Sequence, residues 1–577
     1  MSDTKDTGVE RDRLLLQQAQ TSGSLATWGT YLRLSGPGFL QSAITLGGGS
    51  LAGALFLGIL GGPSLLWLQL MAILMGVIML SAISYVTLST GKRPFGLINK
   101  HINPVLGWGW LFATCMANII WCMPQFSLCF EALDNNLIPG GLGETKEAKI
   151  GVSFAILLIT SGVLFFNLKG GKTAKVFDWL LKGLIAMIVL CFFGVVIYLS
   201  KEGVLDWAKI FAGFLPDFSQ WTQVAGDLRS LLEGLSEQAQ LFWNQRLVRE
   251  QRAVMIGAAA TAVGINMTFL MPYSLLQRGW DRSFRGLARF DLGLGMAIPY
   301  VLVTSCVVIA SSQAFHGKAD QDFLSKDPAT FQESPLFSSA TQDTLLARVQ
   351  PDLAKTKKYA DLSDDERAAA IAEMAALPED EKKIAASLVR RNAFNLSSAL
   401  TPLLGVERAK LVFGLGVFGM GFSTIIILML INGFVFCEAV GKPREGSLLL
   451  MGCMLAGVAG ALWPVFWDGP AKFWLAILAS SFGMMLLPIA YITFFMMLNS
   501  RSVMGDDRPQ GTKRWIWNIL MGASVLGALI AAATALYDKV TATGNPMAEM
   551  GGKVVLGVVV IYAILVFLGF KWKEKPA

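Results

Sequence analysis

Two short stretches of this chain hold residue types whose spacing could bind a small solute. Ser42-Ala-Ile-Thr-Leu-Gly-Gly-Gly-Ser50 sets three consecutive glycines, Gly47, Gly48 and Gly49, inside an apolar run, with the hydroxyls of Thr45 and Ser50 on either side. Asn266-Met-Thr-Phe-Leu-Met-Pro-Tyr-Ser274 sets Pro272 in mid-run between Met271 and Tyr273, with Asn266 just upstream. Glycine weakens a helix interior, and proline removes a backbone donor and frees a carbonyl. The chemistry on offer is therefore neutral: carbonyls and N–H groups released by broken helices, two hydroxyls, an amide and a thioether. Covalent chemistry has no visible centre. The chain shows no HExxH, GxSxG, Walker or Rossmann fingerprint and no embedded acid pair, so it reads as a non-enzyme with no catalytic residues and no cofactor.

These stretches must be positioned by helices in a bilayer. Of 577 residues 54% are apolar and only 15% charged, against about 25% charged in soluble domains. Such a chain cannot cover a water-facing surface, and lipid must cover much of it. A membrane span takes about 20 apolar residues. About twelve runs qualify: 37–61, 64–90, 104–130, 149–167, 174–200, 253–276, 290–315, 409–439, 447–467, 471–498, 515–537 and 553–571. Backbone released at mid-membrane survives only where protein or a water-filled cavity satisfies it. Two interrupted helices, the first and the sixth, each leading a set of five, point to inverted repeats with the binding site at the breaks. The fold class expected is all-α integral membrane.

Charge orders the topology. Arg11, Arg13 and Arg33 precede the first span; Lys92, Arg93 and Lys100 follow the second, and Arg278, Arg282, Arg285 and Arg289 the sixth. Alternate loops are basic, which places residues 1–35 and 572–577 in the cytoplasm and the protein in the plasma (inner) membrane. The net charge of +7 is explained by these loops and not by nucleic acid. The polar N-terminus carries no cleavable leader. Seven cysteines without CxxC spacing are packing residues. The expected organisation is spans one to seven over 36–315 with an outside loop at 201–252, an extracytoplasmic helical insertion at 316–408, and the last five spans over 409–571. Within the insertion Ser363-Asp-Asp-Glu366 is a capping box, and Pro378 opens another helix.

Gly36-Pro-Gly-Phe-Leu40 before a broken first helix, Met271-Pro272-Tyr273, the run Gly416 to Val440 with Gly421-Phe-Ser-Thr424 and Gly433-Phe434, and Leu487-Pro488 followed by Asn499-Ser-Arg-Ser-Val-Met-Gly505 together resemble the natural resistance-associated macrophage protein (NRAMP) family of metal-ion transporters. The resemblance implies a leucine-transporter-type fold and a metal ion held between helices one and six. It implies Ser50 and Met271 as metal ligands, but the departures are sharp. The family's Asp-Pro-Gly-Asn falls on Gly47-Gly48-Gly49-Ser50, its histidine after Met-Pro is Tyr273, and 103–130 holds no Asp or Glu.

Three readings follow. In the first, a secondary transporter moves a metal cation, Mg²⁺ or Mn²⁺, bare or hydrated, using carbonyls, Thr45, Ser50, Asn266 and Met271. Alternatively it moves a small organic solute, whose carboxylate the half-helix N-termini would hold, in a pocket lined by Trp121, Tyr273 and Phe422. In the third, the fold is a non-transporting sensor. Its partners are then membrane lipid and a small ion or solute, with no nucleic acid. A cavity large enough for several heavy atoms would favour the organic solute. Asp291 and Glu438 read as ordinary charges at span ends.

Overall fold

The computed structural model describes residues 3–143, 145–168, 192–390, 405–467, 474–541 and 546–572, with a few single residues between 183 and 190. Among the described residues there are helices and no strands. In chain order the elements that matter here are α1 (Asp3–Ser22), α2 (Ser24–Leu34), α3 (Pro37–Thr45), α4 (Gly48–Gly61), α5 (Leu66–Thr90), α6 (Pro104–Ala132), α7 (Lys146–Leu168), α8 (Glu237–Ala262), α9 (Ile265–Gln277), α10 (Arg285–Leu292) and α11 (Ile298–Phe315). An insertion follows, with α12 (Ser339–Val349), α13 (Asp364–Ala375) and α14 (Glu379–Ser387). The chain closes with α15 (Val406–Val440), α16 (Gly446–Ala461), α17 (Trp474–Asn499), α18 (Gly511–Val540) and α19 (Pro546–Trp572). Nine stretches of the described residues are long and apolar enough to cross a membrane. The expected span 174–200 lies mostly outside the described residues.

The first break falls where the glycines stand. Leu46 (φ −91°, ψ 39°) and Gly47 (φ −87°, ψ −178°) leave the helical region between α3 and α4. The second break is not at the proline. Pro272 lies inside α9, which runs through it. The chain instead turns extended at Val263 (φ −145°, ψ 107°) and Gly264 (φ −86°, ψ 166°). The close approach of α6 requires glycine at this break: a Cβ on Gly264 would come within 2.2 Å of the Trp121 ring. α8 also begins well before the expected span, so residues 237–252 belong to the same continuous helix as its membrane half.

α3 is held at both ends. Its N-terminus is capped by the fully buried Asp291 of α10, whose carboxylate accepts the amide N–H groups of Gly36 at 3.0 Å and Gly38 at 2.5 Å. A Cβ on Gly38 would meet the Asp291 carbonyl oxygen at 2.1 Å, which accounts for the Gly-Pro-Gly start. Asp291 is thus a cap and not a solvated charge, because the first N–H groups of a buried helix need an acceptor. Glu438 is likewise buried and pairs with Arg93 at 3.2 Å. At the other end, Thr424 of α15 donates its hydroxyl to the Ala43 carbonyl at 3.2 Å.

In the insertion, Ser363 and Glu366 form the capping box and Pro378 caps α14. Buried Glu381 of α14 accepts two bonds from Arg348 of α12, at 2.6 and 3.0 Å, and one from the Trp243 indole of α8 at 2.8 Å. The insertion therefore grips the same half-helix that ends at the second break.

Candidate functional site

The two breaks meet. Thr45, the last residue of α3, donates from Oγ1 toward the Ala262 carbonyl at 3.4 Å and the Met267 sulfur at 3.6 Å. Its own carbonyl accepts the Ser50 hydroxyl. The Gly48 amide donates to Gln125 Oε1 of α6 at 3.1 Å. These contacts join the C-terminal end of α3, the N-terminal ends of α4 and α9, and the middle of α6 at one point.

At that point lies a cavity of about 30 Å³ whose lining includes Gly47, Gly49, Ser50, Gln125, Asn266 and Met267. Trp121, Thr261, Thr424 and Ser480 complete its polar rim. Of the residues singled out in sequence, Gly47, Gly49, Ser50, Trp121 and Asn266 reach it. Thr45 and Gly48 stand immediately behind it, through the bonds just given. Met271 and Tyr273 do not line it. Met271 is one turn further along α9, and its sulfur accepts the Gln41 side-chain amide at 3.6 Å. Tyr273 stacks on Phe269 at 4.5 Å and lies 4.1 Å beneath the Arg444 guanidinium, which burial brings down to about 10. Phe422 stacks on Phe418 at 5.6 Å.

Sequence reasoning missed Met267, Gln125, Thr261, Thr424 and Ser480. A signal existed for Met267, which stands three residues after the helix-breaking Gly264. Gln125 follows Pro124 in an apolar run, a weaker sign. The expectation that helix three lacks acid also needs correction: α6 runs on to Ala132 and carries a fully buried Glu131.

No carboxylate lines the cavity. Acceptors there are the hydroxyls of Ser50, Thr261, Thr424 and Ser480, the amide oxygens of Gln125 and Asn266, and the Met267 thioether. Two lining residues carry unpartnered buried donors, Asn266 Nδ2 and Trp121 Nε1. This is a neutral, polar site with room for one small species.

A helical membrane protein with two broken helices enclosing such a cavity has the architecture of a broken-helix secondary transporter. The chain matches the family model described as natural resistance-associated macrophage protein-like over residues 38–342 and 368–538. It belongs to this NRAMP family of membrane metal transporters. Among solved structures it is similar to an Eremococcus coleocola manganese transporter in complex with an aromatic bis-isothiourea substituted compound. That likeness has a TM-score of 0.61 and 14% identity over 95% of this chain and 96% of the other. A point mutant of that transporter is similar with a TM-score of 0.60 and 13% identity over 94% of each chain. No curated protein matches.

Proposed function

We propose that this protein carries a metal cation, stripped of most of its water, across the membrane by alternating access around the cavity between the breaks. The observation that carries the reading is the cavity's size. A water takes roughly 10–15 Å³ of such space, so about 30 Å³ admits an ion with a water or two. It does not admit a hexahydrate or an organic solute of several heavy atoms. The donor set narrows the ion further. Met267 contributes a soft thioether, a ligand of no use to Mg²⁺; carbonyls and hydroxyls near Gly47, Ser50 and Thr261 supply the hard oxygens. Family membership and the likeness of fold to a manganese transporter support Mn²⁺ as the cargo. The basic loops support a plasma (inner) membrane location with both termini cytoplasmic.

The test is uptake of Mn²⁺ and of Mg²⁺ into proteoliposomes holding the purified protein, beside protein-free vesicles. Saturable Mn²⁺ uptake exceeding that of Mg²⁺ is expected. Flat traces for both ions with folded protein would overturn the reading.

One observation favours a second reading. Both unpartnered polar atoms at the cavity are donors, and the N-termini of α4 and α9 converge there. A small anion would satisfy both donors beside those helix ends, as it does at helix N-termini elsewhere. Uptake of chloride in place of either cation would select this alternative.

A further inference from the structure

Behind the second break lies a larger space. The last turn of α8 and the break after it present Ala260, Thr261 and Gly264 to the ion cavity, while Ile256 and Ala259 of α8 and the extended Val263 line a separate pocket of about 460 Å³. Its other walls are α5, α17 and α18, and the segment Phe218–Thr222 covers one end. One turn of helix therefore separates the two. α5 also touches the break itself, since a Cβ on Gly76 would meet the Val263 side chain at 2.2 Å.

The character of this pocket identifies its occupant. Four methionines, Met71, Met75, Met255 and Met484, project into its lining, and methionine is the unbranched, polarisable side chain that adapts to a flexible apolar guest. Water has little reason to enter. The Trp67 indole N–H at the pocket is already spent on Gln220 at 2.9 Å, and a buried water needs two to four polar partners. α5, α8, α17 and α18 each contribute to a membrane-crossing stretch. Leu74 of α5 and Leu526 and Ile530 of α18 are exposed beside the pocket, so its apolar lining continues onto the surface that faces lipid. The volume falls in the range of small-molecule sites, roughly 300–1,000 Å³.

We infer that this pocket is a binding site for one acyl chain of a bilayer phospholipid, seated against the back of the break in α8. The chain fills the space behind Val263 and so supports the wall of the ion cavity. The inference is independent of which ion is carried.

The experiment uses full-length protein in vesicles of phosphatidylethanolamine and phosphatidylglycerol doped with a phosphatidylcholine bearing a mid-chain diazirine. After irradiation, adducts are mapped by mass spectrometry. The expected result is adducts on peptides containing Met255 and Met484, both buried, beside adducts on the exposed face of α19 at Val558, Ile561 and Phe567. Ala259→Phe and, separately, Ala531→Phe fill the pocket from different helices. Either should cut the Met255 and Met484 adducts at least about fivefold and leave the α19 adducts unchanged. The two variants also guard against one failing to fold. Adducts confined to exposed faces, or buried adducts that neither folded variant diminishes, would overturn the inference.

Discussion

Gly49 offers the sharpest test of the cavity. A Cβ built there meets Thr261 Cγ2 at 3.0 Å and Ser480 Oγ at 3.6 Å, and all three residues line the cavity. Gly49→Ala therefore adds its methyl to the cavity wall. A methyl is about the size of a water, which takes roughly 10–15 Å³ of such space, so it removes a large share of a cavity of only about 30 Å³. The fold should survive the change. Gly49 lies in the first turn of α4, where alanine is favoured over glycine by up to about 1 kcal/mol, which offsets the tight contact with Thr261. Transport should not survive. Loss of the space predicts at least a tenfold fall in the initial rate of Mn²⁺ uptake in proteoliposomes, or about 1.4 kcal/mol, at an unchanged melting temperature. Gly162→Ala in α7, where a Cβ would meet nothing within 4 Å, is the control and should transport normally. Normal uptake by folded Gly49→Ala would refute the placement of the pathway between the breaks.

Met267→Ala should weaken uptake of thiophilic Cd²⁺ more than that of Mn²⁺, whereas Met271→Ala should change neither ion selectively, because its sulfur is held by Gln41; competition uptake measures both. Glu381→Gln removes the charge that binds Arg348 and Trp243, and breaking such a buried pair costs about 3 kcal/mol, visible as a lower melting temperature in a thermal-shift assay. His316, which follows α11, donates from Nδ1 to the Ile59 carbonyl and accepts the Asp227 amide at Nε2, both at 2.9 Å. Burial holds its pKa below the ordinary value, with Lys209 and Lys318 adding to the shift and Asp227 and the Ile59 bond opposing it. A neutral imidazole is thus required: the opened form takes the proton first. The stability it contributes is complete above the ordinary histidine pKa of about 6.5 and is lost as pH falls through the depressed folded value. Hydrogen exchange at the Asp227 amide, corrected for intrinsic rate, should accelerate on acidification from about pH 7 to pH 5, and His316→Gln should remove that dependence.

The breaks show how far local chemistry reaches. Gly47 to Gly49 were legible because three adjacent glycines weaken a helix wherever it packs. Pro272 misled because a proline deletes a single hydrogen bond, which the 13-residue helix α9 can do without when its neighbours pack around it. The true second break, at Val263 and Gly264, packs against the Trp121 ring of α6 closely enough to exclude any Cβ at Gly264, a contact between residues far apart in sequence. Asp291 shows the same limit. In sequence it is one more charge beside four arginines; only the approach of Gly36 and Gly38 turns it into a buried cap.

By itself the sequence determined that this chain lives in a bilayer, that it is built of helices, and which family it resembles. Composition, run length and motif order are properties of the chain and need no neighbours to be read. Only the tertiary structure decided which residues line the cavity between the breaks: Met267 in place of Met271, with Gln125, Thr261, Thr424 and Ser480 beside it. That choice depends on how each helix is rotated and staggered about its axis against the others. The rotation is fixed by packing contacts between distant segments, such as Thr45 against Ala262 and Thr424 against Ala43, which no local pattern encodes.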